Sequence, residues 1–389
     1  MNKPRSCDIF CTVVDNYGDI GVCWRLAKQL VNEHGMAVRL WVDDLASFSR
    51  LCPEINPELP AQHCRGVKVR HWSSSFPETE PAHLVIEAFA CELPPSYVAA
   101  MAQRRHKPVW INLEYLSAEG WVEGCHQLPS PHPQLPLVKY FFFPGFTPKT
   151  GGLLLEGDLL ARRDAFQNDS QAVAAWWQAL GMSPPGLQET CISLFCYENP
   201  ALPELFSAWV AASAPMLCLV PEGRASPQVA AFFGREQIVP GDSLRRGSLE
   251  VRVLPFVEQE RYDELLWACD INFVRGEDSC VRAQWAGKPF IWHIYPQHDG
   301  VHMQKLRAFM ALYCAGLAPD AVHAVHGLWE AWNGGQGLAD GWNEFMARRS
   351  MLRRHAQVWA QELSVNSLAL NLLDFSTSID RMRDPKNLA

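Results

Sequence analysis

Two carboxylates lie near the amino terminus, where a run of apolar residues gives way to the sequence DNYGDIG, residues 15–21. Asp15 and Asp19 are four positions apart, and Gly18 and Gly21 let the backbone turn sharply and approach a ligand closely. In such a pair, one carboxylate can accept a proton while the other orients or tunes it. The pattern is therefore compatible with general acid–base chemistry.

The same residues have an alternative interpretation as helix caps. Asp15 can cap a turn and Asp19 can cap the following helix, because acidic side chains are favoured at helix N termini. Both roles remain open. The segment lacks the GxGxxG spacing of a dinucleotide site and also the Walker phosphate loop, so an NAD or ATP site in this half of the chain is disfavoured.

A second polar group follows the apolar run INFV in the sequence VRGEDSC, residues 274–280. A helix is predicted to begin near Ser279, so the backbone N–H groups of Glu277, Asp278 and Ser279 would point outward and could bind a phosphate. Arg275 adds a permanently charged, fork-shaped set of donors. The two acidic side chains are expected to turn away toward sugar or ribose hydroxyls. Ordinary N-capping by Asp278 or Ser279 is the alternative.

Aromatic residues at two further strand ends are candidates for stacking on a nucleotide base. Phe256 and Gln259 follow the strand that begins LEVRVL, and Tyr197 ends the run CISLFCY. Burial in the core is the more frequent fate of such aromatic residues. Base contact and core packing therefore both remain open for Phe256 and Tyr197.

Alternating strands and helices must position these residues. Predicted strands in the first half lie at 7–14, 37–42, 84–89, 109–113 and 138–143, with helices at 22–35 and 96–105. A second series has strands at 191–197, 216–220, 249–257, 271–274 and 290–294, with helices at 202–212, 227–233, 259–269 and 279–286. Further helices are predicted at 301–314, 338–362 and 368–375. This alternation predicts an α/β protein with mostly parallel sheets.

Length and composition narrow the class of protein. A chain of 389 residues exceeds the size at which one core keeps growing, so two domains are expected, with a boundary within roughly residues 150–190. The net charge of −8 argues against nucleic-acid and anionic-membrane partners. The thirteen cysteines lie in apolar runs without a CxxC pair, which indicates reduced thiols and a cytoplasmic location.

Four separated segments carry a specific resemblance that extends over nearly the whole chain. They are VVDNYGDIGVCWRLAKQL, CYENP, LPFVEQERYDELLWACD and VRGEDSCVRAQWAGKPFIWHIYPQ. Together they resemble the EarP family, the protein-arginine rhamnosyltransferases that modify translation elongation factor P.

The resemblance implies a GT-B glycosyltransferase with two facing Rossmann-like domains and a cleft between them. Expected limits are 1–165 for an acceptor-binding domain carrying the catalytic aspartates, 185–360 for a nucleotide-sugar-binding domain, and 361–389 for terminal helices that pack back on the first domain. The implied donor substrate is TDP-β-L-rhamnose and the implied acceptor is elongation factor P, with inversion at the anomeric carbon. Neither a cofactor nor a metal is expected.

Functional residues of the family are carried over position by position. Asp15 and Asp19 match its catalytic aspartates. Its nucleotide-sugar contacts match Tyr197, Phe256, Gln259, Arg275, Glu277, Asp278 and Ser279. As a hypothesis, Asp19 is the base, Asp15 orients the acceptor guanidinium, and Arg275 with the helix start stabilises the departing diphosphate.

Two other functions remain open from the residues alone. One is a GT-B transferase that uses another nucleotide sugar or a small-molecule acceptor. The other is a noncatalytic nucleotide-sugar-binding protein, against which the aspartate pair argues, because binding alone does not require two carboxylates facing the donor.

Overall fold

The structure, a computed structural model, describes residues 5–14, 17–334 and 337–383. It divides into two compact units. Unit 1 contains the residues up to Gly157 together with those from Leu363 onward, and unit 2 contains Asp158–Glu362. Asp15, one of the two predicted catalytic aspartates, lies outside the described residues.

Unit 1 begins with a series of strands connected largely by helices. Its elements are β1 Ser6–Cys11, α1 Gly18–Asn32, β2 Ala37–Val42, α2 Leu45–Leu51, β3 Ala61–Cys64, β4 Val67–His71, β5 Leu84–Ala88, α3 Pro95–Gln103, β6 Val109–Leu113, α4 Val122–Cys125, β7 Pro129–Pro131 and β8 Val138–Phe142. The central strands β1, β5 and β6 are short, mainly apolar and almost entirely buried, as expected for strands of a parallel sheet covered on both faces.

The sheet of unit 1 has the order β3-β4-β2-β1-β5-β6-β8-β7. Its strands pair in parallel, except that β3 and β7 at the two edges are antiparallel to their neighbours. The chain first adds β2 and β4 on one side of β1, and then β5, β6 and β8 on the other. The switch point therefore lies between β1 and β5, and ligands of open α/β sheets bind at the carboxyl ends of strands at such a point.

A buried carboxylate holds β1 in the centre of this sheet. Asp8 is fully buried and accepts hydrogen bonds from the Arg39 guanidinium, the Tyr97 hydroxyl and the Ala82 backbone N–H. Burial and the neighbouring Asp8 carboxylate raise the pKa of Tyr97, so its hydroxyl remains a donor. The cluster ties β1 to β2 through Arg39, to α3 through Tyr97 and to the segment before β5 through Ala82.

Unit 2 repeats the alternation and adds several helices. Its elements are α5 Leu159–Asn168, α6 Ser170–Ala179, β9 Thr190–Leu194, α7 Leu202–Val210, β10 Met216–Pro221, α8 Ser226–Phe232, β11 Ser243–Arg246, β12 Leu249–Leu254, α9 Gln259–Ala268, β13 Ile271–Arg275, α10 Asp278–Trp285, β14 Phe290–His293, a 3-10 turn His298–Gly300, α11 Val301–Tyr313, α12 Pro319–Gly334, α13 Leu338–Ala347 and α14 Arg349–Leu363, which ends at the unit boundary.

The sheet of unit 2 has the order β11-β12-β10-β9-β13-β14. All of its strands are parallel except β11 at one edge. The switch point lies between β9 and β13, as it does between β1 and β5 in unit 1. Each unit is thus a Rossmann-like sheet with one preferred ligand edge.

The last helix, α15 Leu368–Arg383, packs on unit 1. The ring of Phe375 contacts that of Tyr140 on β8 at a centroid distance of 5.3 Å. At the exposed surface, Arg5 donates a hydrogen bond to Asp380 at 2.8 Å. Unit 1 is therefore assembled from the two ends of the chain.

The predicted α/β class is confirmed, and the differences are local. Strands β2 and β6 have the predicted ends, whereas β1 and β9 each end three residues early. The sequence analysis did not predict the edge strands β3, β7 and β11, nor β4, which pairs with β3; all four are partly polar and partly exposed. It also missed α2, α4 and α12, and it placed only the domain boundary within residues 150–190, where the structure has α5 and α6. The predicted helix 338–362 is two helices, α13 and α14.

Candidate active site

The aspartate loop of unit 1 lies at the carboxyl end of β1. Strand β1 ends at Cys11, and α1 begins at Gly18, which places Asp19 in the first turn of that helix. Asp19 is 3% exposed, and its Oδ2 accepts a hydrogen bond from the Val14 backbone N–H at 2.8 Å. Because Asp15 is outside the described residues, only Asp19 of the predicted pair has a described position.

This contact gives Asp19 a local structural role. The bond ties Val14, which follows β1, to the first turn of α1. It is not an N-cap bond, which an N–H of the helix itself would donate. The N-cap position itself is Tyr17, whose side chain makes no capping hydrogen bond. A carboxylate offers about four acceptor positions on its two oxygens, so a loop contact and a proton-accepting role are compatible in one side chain.

Arg275 forms the centre of the second group, in unit 2. It is the last residue of β13 and is 7% exposed. Its guanidinium carbon lies 4.6 Å from the ring centroid of Phe195 and 4.6 Å from that of Tyr197, both of which follow β9. Among the described residues, its Nε has no hydrogen-bond partner. A buried cation held by two aromatic rings, with donor capacity to spare, is suited to an anionic ligand.

A helix start lies directly after this cation. Gly276 has a φ of +63°, and its carbonyl accepts a hydrogen bond from Trp292 Nε1 at 2.8 Å. The positive φ turns the chain so that α10 begins at Asp278, with Glu277 at the N-cap position. Glu277 makes no side-chain capping hydrogen bond. The start of α10 therefore follows Arg275 directly, and backbone N–H groups at a helix N terminus, such as that of Ser279, are suited to an anion.

A buried ion pair fixes α9 against α10. The Arg282 guanidinium donates hydrogen bonds to both Asp263 carboxylate oxygens, at 2.8 and 2.6 Å, and both side chains are almost fully buried. At the N-terminal ends of α9 and α10, Gln259 Nε2 donates to Asp278 Oδ2 at 3.3 Å. Phe256 precedes α9 in the loop after β12 and is half-buried. The ion pair between Asp263 and Arg282 therefore fixes the relative positions of Gln259 and Asp278.

His293 also belongs to this region, although the sequence analysis did not select it. It pairs in register with Arg275 across β13 and β14, and its ring meets that of Tyr197 edge-on at 5.3 Å. Burial lowers the pKa of His293 to about 3, with smaller contributions from Arg275 and His302. The imidazole is therefore neutral at physiological pH and adds no second positive charge beside Arg275. Its position near the end of the predicted strand 290–294 was the signal available in the sequence.

Most of the residues predicted to contact the nucleotide sugar thus lie in unit 2, near the switch point between β9 and β13. The residues collected there are Tyr197, Gln259, Arg275, Glu277, Asp278 and Ser279. Phe256 lies in the loop that leads into α9. Asp19 belongs to unit 1, at the corresponding edge of the other sheet. The carboxyl edge of the unit 2 sheet is therefore suited to an anion, and the carboxyl edge of the unit 1 sheet has the Asp19 carboxylate.

Two kinds of feature are absent from the part of the chain that the structure describes. No group of three or more His, Cys, Asp or Glu side chains is arranged to hold a metal ion. None of the described helices combines the length and apolar character needed to cross a membrane.

The two Rossmann-like sheets of one chain, each with candidate binding residues at its switch point, define the GT-B class of glycosyltransferases. A solved glycosyltransferase from Rickettsia africae has a similar fold, with a TM-score of 0.50, 9% sequence identity and coverage of 98% of each chain. At that identity the likeness shows the fold alone.

Closer relatives specify the family. Residues 7–377 match the sequence model of the family described as "Elongation-Factor P (EF-P) rhamnosyltransferase EarP". Proteins named protein-arginine rhamnosyltransferase from Pseudomonas putida and Pseudomonas aeruginosa are 53% and 50% identical, and the matches cover 95% of this chain and 97% and 98% of theirs. A solved structure, described as the basis for EarP-mediated arginine glycosylation of translation elongation factor EF-P, matches with a TM-score of 0.69 and 39% identity, covering 96% of this chain and 99% of that one. The chain belongs to the EarP family and is a glycosyltransferase.

Proposed function

We propose that this chain transfers L-rhamnose from TDP-β-L-rhamnose to an arginine side chain of translation elongation factor P, with inversion at the anomeric carbon. Membership of the EarP family and the names of its relatives support rhamnose as the sugar and arginine as the acceptor. The observation that carries the proposal is the buried Arg275 beside the open N terminus of α10.

In this proposal unit 2 binds the nucleotide sugar. The diphosphate accepts hydrogen bonds from Arg275 and from the first N–H groups of α10, at Asp278 and Ser279. Tyr197 keeps the guanidinium in place by stacking against it, and Phe256 stacks on the thymine base. Gln259 and Glu277, at the starts of α9 and α10, contact the nucleotide and the sugar.

Unit 1 binds the acceptor and supplies the base. A free guanidinium is almost always protonated and is a poor nucleophile, so one of its protons must be removed as the nitrogen attacks. Asp19 accepts that proton, and Asp15 orients the guanidinium through paired, charge-assisted hydrogen bonds. The new bond joins the nitrogen to the anomeric carbon, and the bond from that carbon to the diphosphate oxygen breaks.

The departing TDP takes the bonding electron pair and gains negative charge. Arg275 and the helix start at residues 277–279 stabilise that charge, which develops most strongly in the transition state. Stabilisation by fixed protein groups needs no metal ion in this scheme. Attack from the side opposite the leaving group converts the β-linked donor into an α-linked rhamnosyl arginine.

A cytoplasmic location fits the same proposal. All thirteen cysteines are free thiols, and most of them are buried. Reduced cysteines in this number are typical of a compartment that keeps thiols reduced. Elongation factor P acts in that compartment as a component of translation, so enzyme and acceptor would meet there.

The direct test is mass spectrometry of elongation factor P after incubation with this protein and TDP-β-L-rhamnose. The expected product carries one deoxyhexosyl group on an arginine, and NMR of the modified arginine reports an α linkage. A folded protein that leaves elongation factor P unmodified would contradict the proposal. Parallel reactions with UDP-glucose and GDP-mannose test the donor, and equal transfer from either would remove the assignment of TDP-β-L-rhamnose.

A further inference from the structure

The loop after β2 in unit 1 begins with two neighbouring aspartates that make different contacts. Asp44 caps helix α2, because its Oδ1 accepts a hydrogen bond from the Ser47 backbone N–H at 2.9 Å. Asp43 instead reaches the loop after β1, where its Oδ1 accepts from the Val13 backbone N–H at 2.9 Å. Capping of α2 therefore explains Asp44 and leaves the contact of Asp43 to be explained.

The pairing of β1 with β2 brings Asp43 to this position. The two strands are parallel, and Cys11 at the end of β1 pairs with Val42 at the end of β2, so both loops leave the sheet at the same level. On the other side of β2, the Trp72 backbone N–H donates to the Val42 carbonyl at 2.7 Å, and His71 Nε2 donates to the Asp43 carbonyl at 3.1 Å. The backbone of Asp43 is thus fixed by the end of β4, while its side chain holds the loop after β1.

Two carboxylates bind successive N–H groups of the loop after β1. The Val13 N–H donates to Asp43, and the next N–H, that of Val14, donates to Asp19 Oδ2 at 2.8 Å. Hydrogen bonds to a charged acceptor are stronger than those between neutral groups. Because one planar peptide unit joins Val13 to Val14, a shift of Val13 also moves the N–H that is bound to Asp19. The orientation of the Asp19 carboxylate therefore depends on Asp43.

We infer that Asp43 is a positioning residue for the transfer reaction, which holds the Asp19 carboxylate in place through Val13 and Val14. This inference rests on the proposed function, in which Asp19 is the base. A base must lie within hydrogen-bond reach of the proton that it removes, and a displacement of about 1 Å costs much of the rate. Asp43 contributes to this step only through its bond to Val13, so a neutral acceptor at the same atom should replace it.

The central experiment compares the kinetics of Asp43→Ala, Asp43→Asn and Asp44→Ala. Asp43→Ala leaves the Val13 N–H without its acceptor and should lower kcat by about tenfold to a hundredfold, with unchanged KM for elongation factor P and unchanged affinity for TDP. Asp43→Asn keeps an oxygen that accepts from Val13, so kcat should return to within about threefold of the wild type. The matched control is Asp44→Ala, which removes the cap of α2 and should lower the Tm without lowering kcat.

A double substitution tests whether Asp43 acts through Asp19. In an Asp19→Asn background the base is already lost, so adding Asp43→Ala should lower the residual kcat by less than about twofold. If the two substitutions instead multiply their separate effects on kcat, Asp43 has a role of its own in the reaction, and the inference is overturned.

Three further outcomes would overturn the inference and leave the proposed function intact. They are wild-type kcat in folded Asp43→Ala, no recovery in Asp43→Asn, and an equal loss of kcat in Asp44→Ala. If the wild type does not modify elongation factor P, the coupling is tested by amide hydrogen exchange, measured by NMR. The Val14 amide should exchange about tenfold faster in Asp43→Ala than in the wild type or in Asp44→Ala, and unchanged protection of Val14 would overturn the coupling.

Discussion

The carboxyl edges of the two sheets share a topology and differ in charge. In both units the switch point lies between the first strand and the fourth parallel strand, which are β1 and β5 in unit 1 and β9 and β13 in unit 2. The edge of unit 1 presents Asp19 and Glu114, whereas that of unit 2 presents Arg275 and the N terminus of α10. The Rossmann-like fold supplies the location, and the side chains there decide which charge it binds.

The two edges also differ in how their aromatic residues are used. In unit 2, Phe195 and Tyr197 hold a cation that belongs to the protein. In unit 1, the aromatic residues at the corresponding edge, Phe89 and Tyr115, stack on each other. The comparison leads to predictions that separate the two edges.

Loss of the carboxylate at the unit 1 edge is expected to have the largest effect. Asp19→Asn keeps the size of the side chain and removes the base, so kcat should fall by about a thousandfold. TDP affinity, measured by calorimetry, should remain unchanged because the proposed donor site lies in unit 2. Near-normal transfer to elongation factor P by a folded variant would remove Asp19 from the base role.

Loss of the cation at the unit 2 edge should have a somewhat smaller effect. Arg275→Ala removes the hydrogen-bond donors proposed to stabilise the leaving group, so kcat should fall by about a hundredfold or more, and TDP affinity should fall with it. Arg275→Lys keeps the charge but cannot offer a planar face to both rings, so recovery should be partial. Full activity of the lysine variant would show that charge alone matters at this edge.

Each unit has an ion pair with a buried carboxylate, Asp8–Arg39 in unit 1 and Asp263–Arg282 in unit 2. Variants that break one pair or the other should distinguish an effect on donor binding from an effect on stability. Asp263→Ala leaves Arg282 buried without its partner, which should lower the free energy of unfolding by about 3 kcal/mol and weaken TDP binding through the displaced α9 and α10. Asp8→Ala is the matched variant in unit 1, where it should destabilise the sheet without changing TDP affinity. Urea unfolding and calorimetry give the two quantities. Equal effects of both variants on TDP affinity would contradict the assignment of the donor to unit 2.

The smallest effect is expected for two histidines with lowered pKa values, one in each unit. It concerns the dependence of stability on pH. Burial lowers the pKa of His293 in unit 2 to about 3 and that of His126 in unit 1 to about 4. Since the unfolded histidine titrates near 6.5, the unfolded state binds more protons below that pH, so stability is full above pH 6.5 and falls as the pH drops toward these values. The loss should approach about 1 kcal/mol per pH unit for the buried His293 and be smaller for His126, which is only half-buried. His293→Phe and His126→Phe should each flatten the acid side of the stability profile, and an unchanged profile would mean that these residues are protonated in the folded state.

Much of the fold follows from local sequence patterns. The strands Ala37–Val42 and Val109–Leu113 were predicted with the correct ends, because largely apolar runs between polar segments are typical of buried parallel strands. The edge strand β11 was missed, since SLRR is polar and pairs on one side only. Helix α12 was missed although Ala321, Val325, Leu328 and Trp332 recur at helical spacing, so the signal was present.

The candidate site was predictable in part. Strand-end polar residues such as Arg275 and Asp19 were selected because ligands of α/β sheets bind at those ends. His293 was missed because it lies within an apolar run, and only the pairing of β13 with β14 places it beside Arg275. The bond from Val13 to Asp43 was missed because it depends on the pairing of β1 with β2, which brings together two residues thirty positions apart.

The sequence by itself determined which residues end the strands and which charge each end carries, because strand and helix periodicity and residue type are local properties. Only the tertiary structure decided which ends become neighbours. The order of the strands depends on pairings between distant segments, such as β1 with β5 and β9 with β13, and these are governed by burial of whole elements. Those pairings place Arg275 between Phe195 and Tyr197, and they bring the loop of Phe89 to the strand end that precedes Asp19.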